Sequence, residues 1–286
     1  MPGAGYVETP EIRRLIGRAS TYFNAGIPLH FRGPAGVGKS ALARRLAEAQ
    51  GRPISTMSGH DWLDDSDFVG RIVGQSQTQV VDNYIQSIRR AETSTRVDWS
   101  DALLAEAMEQ GHTFIYDDFT CASPQANALL LPVLEEGILV ATDRASLRPL
   151  IRAHPKFRII LTSNPADYVA ATTAPDALLD RMVTIDLSGF DADTEAAVVS
   201  AKGGVDPAFA RRIVACLRAL PSGVSVSSLR AAIMIARAAT ALRDMGPEAP
   251  DLSAIARDVI SGRAPELDPA ILENAIATHL MPARGV

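Results

Sequence analysis

Pro28-Leu29-His30-Phe31-Arg32, followed at once by Gly33-Pro34-Ala35-Gly36-Val37-Gly38-Lys39-Ser40, is the stretch that decides the fold. The first five residues read as a short strand. The next eight complete the pattern G-x-x-x-x-G-K-[ST], and Leu42 and Leu46 then fall at helical spacing until Gly51 can end the helix. Glycines let successive backbone N–H groups turn inward around phosphate oxygens, and a helix that starts there adds the positive end of its dipole. Lys39 is placed to reach the β- and γ-phosphates of a nucleotide, and the Ser40 hydroxyl to ligate Mg²⁺. A glycine-rich turn that merely matches is the alternative, and a strand before with a helix after weighs against it.

Outward from this loop, apolar strands alternate with helical segments up to residue 190. Pro53–Met57, Thr113–Tyr116, Phe157–Thr162 and Met182–Leu187 join Pro28–Arg32 as five strands. Such alternation predicts an α/β fold with a five-stranded parallel sheet and right-handed crossovers. Thr9-Pro10, Ser123-Pro124, Asp206-Pro207 and Asp268-Pro269 each read as a cap followed by proline at the first helical position. The Ser123 helix carries Leu130, Val133 and Leu134, and another helix is predicted near Val81–Ala91. Beyond residue 190 the reading is nearly all helical. The expected organisation is a nucleotide-binding domain over 1–190 and a small helical domain over 191–286.

Composition narrows the class. The 286 residues are 47% hydrophobic and 21% charged, enough to bury a core and far from a disordered chain. A net charge of −5 argues against a dedicated nucleic-acid binder. No apolar run approaches the roughly 18 residues of a membrane span, and the first residues lack a secretory pattern. Two cysteines without metal or redox spacing point to a reducing, cytoplasmic setting, with Cys216 expected in the core. The five histidines show no ligand spacing, so no metal other than Mg²⁺ is expected.

Four further positions carry chemistry. Asp117-Asp118 ends the strand Thr113–Tyr116; Asp117 is read as the Mg²⁺ carboxylate and Asp118 as the acid that polarises attacking water. The alternative for both is loop solvation or capping near Ser123. Asn164 follows the strand Phe157–Thr162, where it can orient that water. Arg181 precedes the last strand, where it can project from a subunit edge toward a neighbour's γ-phosphate, or simply pair with Asp180 or Asp186. Arg230 can reach nucleotide from the helical half or be an ordinary solvated helix residue.

These motifs in this order resemble the AAA+ ATPases over nearly the whole chain. That resemblance implies that Asn164 is sensor 1, Arg181 the arginine finger and Arg230 sensor 2. It also implies a ring, most often a hexamer, with ATP and Mg²⁺ bound. Residues 60–98, beginning Ser66-Asp67-Phe68-Val69-Gly70, look like the helix-2 insertion of the MoxR-type branch. The stretch from Leu134-Glu135-Glu136-Gly137 to His154-Pro155-Lys156-Phe157-Arg158 looks like its hairpin before sensor 1, about 137–156. Within that branch, Val7-Glu8-Thr9-Pro10, Val80-Val81-Asp82-Asn83-Tyr84-Ile85 and Tyr116-Asp117-Asp118-Phe119-Thr120 are similar to the gas vesicle assembly ATPases. The implied role is an ATP-driven assembly factor that remodels a gas vesicle shell or accessory protein. Its implied place is the cytoplasm, at gas vesicles.

Two departures from the common pattern stand out: Asp118 where motor-type ATPases usually carry glutamate, and Ser225-Val226-Ser227-Ser228-Leu229-Arg230 in place of a tight Ser-Pro-Arg. Sister ATPases acting on Rubisco or a metalloenzyme, a binding module with little turnover, and a DNA motor are the rival readings. Arg144, Arg148, Arg152, His154, Lys156 and Arg158 form a basic run, read as a solvated hairpin face or a partner surface. Trp62 and Trp99 are expected to anchor the packing of the insertion.

Overall fold

The computed structural model describes residues 6–82, 90–140, 149–165, 176–221, 229–243 and 251–281. The chain opens with α1 (Pro10–Asn24), β1 (Leu29–Arg32), α2 (Lys39–Glu48) and β2 (Ile54–Ser58). A short α3 (Asp65–Val69) leads into the long antiparallel pair β3 (Gly70–Asp82) and β4 (Arg90–Asp101). Then come α4 (Leu103–Gln110), β5 (Thr113–Asp117), α5 (Pro124–Ala128), α6 (Leu130–Glu136) and a small hairpin of β6 (Ile138–Val140) and β7 (Leu150–Arg152). β8 (Arg158–Ser163), α7 (Asp176–Leu179) and β9 (Val183–Asp186) finish the sheet. Five helices follow: α8 (Ala192–Gly203), α9 (Pro207–Arg218), α10 (Leu229–Arg243), α11 (Leu252–Ser261) and α12 (Pro269–His279).

The five strands expected from the sequence form one parallel sheet in the order β2-β5-β8-β1-β9. Thr113 to Tyr116 of β5 register with Arg158 to Leu161 of β8, and Ile54 to Ser58 of β2 with Thr113 to Asp117. On the other side, Val183 N–H donates to Pro28 O at 2.9 Å and Leu187 N–H to Arg32 O at 2.7 Å, the even stepping of a parallel ladder. Burial follows position. The inner strands β1, β5 and β8 are buried almost throughout, as the interior of a parallel sheet is, while the edge strands β2 and β9 mix buried with exposed positions.

Two compact units divide the chain. One gathers the residues up to Thr21, Arg32–Arg45 and the chain from Asp186 onward; the other holds Tyr22–Phe31 and Leu46–Ile185. The second has an aromatic core, with Phe68, Phe114, Tyr116 and Phe119 fully buried, and Phe68 edge-on to Tyr116 at 5.8 Å. Burial raises the Tyr116 phenol well above its ordinary range, and its hydroxyl donates to Asn127 Oδ1 at 3.1 Å. The first has an aliphatic core built from Val199, Ile213, Leu217, Ile235, Ile260 and Ile276. Cys216 lies in that core as expected, and burial pushes its thiol up to about 11.

Aspartate caps explain why the helical half folds as it does. Asp191, Asp206, Asp251 and Asp268 accept backbone N–H groups at the starts of α8, α9, α11 and α12. Bonds from the Thr194 N–H and hydroxyl hold the Asp191 carboxyl below the usual carboxylate range. Three expectations need correction. The helix near Val81–Ala91 is absent at both its ends, where Val81 and Asp82 pair with Ala91 and Arg90; residues 83–89 lie outside the described residues. β-Branched Val80, Val81, Thr93 and Thr95 favour the extended backbone there. The Ser123 helix is two helices, broken at Leu129, and Pro132 lacks the N–H that a continuous helix needs. Trp62 is 88% exposed and so is not buried as a packing anchor among the described residues, while the Trp99 side chain lies outside them.

Phe114→Ala is expected to lower the unfolding free energy by about 3–5 kcal/mol through loss of buried surface and a residual cavity. Asp206→Ala, which deletes the bond to the Phe209 N–H, should cost only about 1 kcal/mol. Urea unfolding of the two variants measures that ordering.

Candidate functional site

The loop between β1 and α2 is built of two kinds of glycine. Gly36 and Gly38 have φ of 82° and 99°, backbone that side chains resist. Gly33 is different: a Cβ placed there would lie 2.2 Å from the Leu187 carbonyl oxygen, so it serves close packing against the chain that follows β9. Beside that contact Arg32 grips Asp186 with both ends of its guanidinium, Nε to Oδ1 at 2.6 Å and Nη2 to Oδ2 at 2.9 Å. Lys39 opens α2 and is 7% exposed. Its ammonium donates to Gly33 O at 2.8 Å and Pro34 O at 3.0 Å, so the cation rests on the loop's own carbonyls. Ser40, the next residue, is exposed. Left-handed glycines, a folded-back lysine and the start of a ten-residue helix make an anion cradle.

The acidic pair sits where β5 leaves the sheet. Asp117 is half-buried and Asp118 exposed. Asp118 has φ 49° and ψ 44°, the left-handed conformation, and is the single non-glycine residue with positive φ among the described residues. Three contacts fix this turn. Thr162 Oγ1, fully buried on β8, accepts the Asp118 N–H at 2.9 Å and donates to Asp117 Oδ1 at 2.5 Å. Gly59 N–H donates to Asp117 O at 2.7 Å. Gly59 also passes so close to Asp118 O that a Cβ would lie 2.2 Å away. Sequence reasoning missed Thr162 and Gly59. A hydroxyl straight after the apolar run Ile159–Leu161 and a glycine straight after a strand were their signals.

Asn164 follows β8 directly and is partly buried. Its neighbour Ser163 bonds His30 Nε2 at 2.8 Å, while His30 Nδ1 bonds Thr184 Oγ1 at 3.0 Å. Arg181 pairs with neither carboxylate expected of it. Its Nη1 donates to Ala177 O at 2.7 Å and its Nε to Glu135 Oε2 at 2.9 Å, while Asp186 is taken by Arg32. Arg230 is the exposed second residue of α10, and 222–228 before it lie outside the described residues. Thus Gly33 to Ser40 and Arg230 belong to one compact unit, and Asp117, Asp118, Asn164 and Arg181 to the other. The basic run is not one face: Arg158 turns inward to Phe23 O at 3.0 Å and Phe157 O at 2.7 Å. Arg144 and Arg148 lie outside the described residues.

Within the first unit Ser40 carries a hydroxyl, and within the second Asp117 and Asp118 carry carboxylates; each is a hard oxygen donor of the kind that suits Mg²⁺. Among the described residues no group of three or more His, Cys, Asp or Glu can hold a metal.

Residues 28–182 match the AAA domain of the dynein-related subfamily. The chain is 40% identical over 241 residues to the gas vesicle ATPase GvpN of Ancylobacter aquaticus, covering 83% of this chain and 68% of that one. The chain belongs to the GvpN family of gas vesicle ATPases. Its similarity to GvpN2 of Halobacterium salinarum is 31% over 282 residues, 98% of this chain and 81% of the relative. Outside the GvpN family, CbbQ of Hydrogenophilus thermoluteolus is 24% identical over 188 residues, 66% of this chain and 63% of that one. A Thermotoga maritima RuvB variant shares the fold at a TM-score of 0.54 with 14% identity, over 98% of this chain and 73% of that chain. Among the described residues no helix is long and apolar enough to cross a membrane.

The left-handed turn at Asp118 sets a stability test. Asp118→Gly is expected to be at least as stable as wild type, because relief of the left-handed strain offsets the added freedom of the unfolded chain. Asp118→Val, β-branched in that conformation, should lose about 1–3 kcal/mol. Denaturant unfolding checks both, and equal stability of all three proteins would mean the backbone at 118 is unconstrained.

Proposed function

We propose that this chain hydrolyses ATP with Mg²⁺ in a ring, most often a hexamer, and uses the resulting motion to remodel a gas vesicle shell or accessory protein during assembly. The observation that carries the reading is the lysine-bearing anion cradle of Gly33 to Ser40 in a chain 40% identical to a gas vesicle ATPase. Lys39 exchanges the Gly33 and Pro34 carbonyls for β- and γ-phosphate oxygens, and the Gly33–Gly38 backbone wraps the phosphates. Mg²⁺ supplies charge neutralisation on the phosphates, with Ser40 and Asp117 as its holders. Asp118 takes the proton of the attacking water, Asn164 orients that water, and Arg230 contacts nucleotide from the helical half. Arg181 acts on a neighbouring subunit's nucleotide, and to do so it has to leave Glu135. The protein works in the cytoplasm at gas vesicles.

A second reading has one specific observation behind it. Asp118 is a methylene shorter than glutamate and held in a left-handed turn, and misplacement of a base by about 1 Å can cost on the order of 100-fold in rate. On that reading the chain is a nucleotide-dependent binding module with little turnover. The sister roles on Rubisco or a metalloenzyme are weaker, given 24% identity to CbbQ against 40% to GvpN.

Lys39→Ala is expected to abolish tight ATP binding by calorimetry. Arg181→Ala should bind ATP nearly normally and turn it over about 10³-fold more slowly or worse. Mixing the two inactive proteins should restore part of the turnover, because some interfaces then join an intact loop to an intact arginine. No rescue on mixing, with per-subunit activity unchanged on dilution to monomer, sinks the shared site. Asp118→Asn separates the two readings: it stops turnover while ATP stays bound if Asp118 is the base, and leaves a wild-type trickle untouched if the chain is a binding module.

A further inference from the structure

We propose that Thr162 is a positioning residue of the hydrolytic site, setting the Mg²⁺ carboxylate of Asp117 and the base Asp118 through one hydroxyl. The inference rests on the reading of those acids given above. The hydroxyl has one proton, and it is committed to Asp117 Oδ1 at 2.5 Å; a lone pair takes the Asp118 N–H at 2.9 Å. Both acids are therefore tied to the same atom on β8, a strand that ends at Ser163 with Asn164 next in the chain.

Thr162 has no exposed surface, and its strand neighbours Ile160 and Leu161 are equally buried. A hydroxyl in such a place costs free energy unless it is bonded. A valine of the same shape would fill the strand position as well, so packing alone does not call for threonine. The hydroxyl instead bonds two neighbouring acids of the site, the carboxylate of Asp117 and the backbone N–H of Asp118.

The consequences differ for the two acids. For Asp117, the donated proton fixes which carboxylate oxygen is turned toward β8 and leaves the other to point elsewhere, which sets the orientation offered to a cation. For Asp118, the bond is to the backbone. It holds the amide of a residue in left-handed conformation, and so aims the side chain without touching it. Gly59 closes the other side of the turn, where its own approach to Asp118 O leaves no space for a Cβ. Loss of the hydroxyl removes one wall of this clamp, and a short acid has little reach with which to compensate.

Thr162→Val and Thr162→Ser test this, with nucleotide affinity measured by calorimetry in EDTA and in Mg²⁺, and turnover measured against Mg²⁺ concentration. Urea midpoints confirm folding of both variants. Expected for Thr162→Val is affinity in EDTA within about twofold of wild type. The gain in affinity on adding Mg²⁺ should be lost, and half-saturating Mg²⁺ raised about 10- to 100-fold. Thr162→Ser, which keeps the hydroxyl, should remain within about threefold of wild type on every measure. The inference is overturned if Thr162→Val responds to Mg²⁺ as wild type does, or if Thr162→Ser is as impaired as Thr162→Val, since the methyl group and not the hydroxyl would then matter. A wild-type protein that binds nucleotide with a Mg²⁺ response but does not turn it over still reports on Thr162 through calorimetry. A wild type that binds no nucleotide overturns the reading of the acids, and this inference with it.

Discussion

His30 lies inside the sheet with no exposed surface, its Nε2 on the Ser163 hydroxyl of β8 and its Nδ1 on the Thr184 hydroxyl of β9. An imidazole buried there without partners would cost on the order of 1–3 kcal/mol, so the two hydroxyls fix how three adjacent strands line up. Gly33 begins one residue beyond β1, Asn164 one residue beyond β8, and the Arg32–Asp186 pair closes the ends of β1 and β9. Phe119, immediately after the acidic pair, packs edge-on against the same imidazole at 5.4 Å. One side chain thus connects the strands that carry the loop, the asparagine and the turn after the acids.

What the sequence disclosed was what neighbours in the chain decide. The loop pattern, the five apolar strands and the Asp-Pro and Ser-Pro helix starts all depend on residues a few positions apart, and all appear in the structure. Less legible were features settled over distance. Glu135 lies far along the chain from Arg181, and no local pattern pairs them ahead of Asp180 or Asp186. Thr162 meets the acids only because β5 and β8 are neighbours. The pair β3–β4 is long, polar and irregular, with a register shift between Ile72 and Gly74, so alternation was faint and a helical spacing could be read into it. Starts of α8 and α11 were legible in principle, since Asp191 and Asp251 cap them just as Asp206 and Asp268 cap α9 and α12. They lacked only the following proline.

Charge in the candidate site is handled by short, local contacts. The Lys39 ammonium is buried yet stands on two carbonyl oxygens of its own loop. Arg181 is only partly exposed and stands on a carboxylate and a helix-end carbonyl. Both cations therefore have satisfied resting positions, and either can be drawn off only by a ligand that offers more than the protein already does. Close-set oxygens that share negative charge, as in a phosphate group, accept stronger hydrogen bonds than a neutral water molecule does.

The contact between Gly33 and Leu187 O gives the loop signature a meaning that its spelling hides. Of its three glycines, two are there for the shape of the backbone and one for the space beside it. The first letter of the pattern is therefore a statement about β9, an element far down the chain, rather than about phosphate. Any methyl at that position would have to be accommodated by retreat of the Leu187 carbonyl, and with it the ladder bond from Leu187 N–H to Arg32. The eight-residue motif and the edge of the sheet are in this sense a single structural word, written in two places.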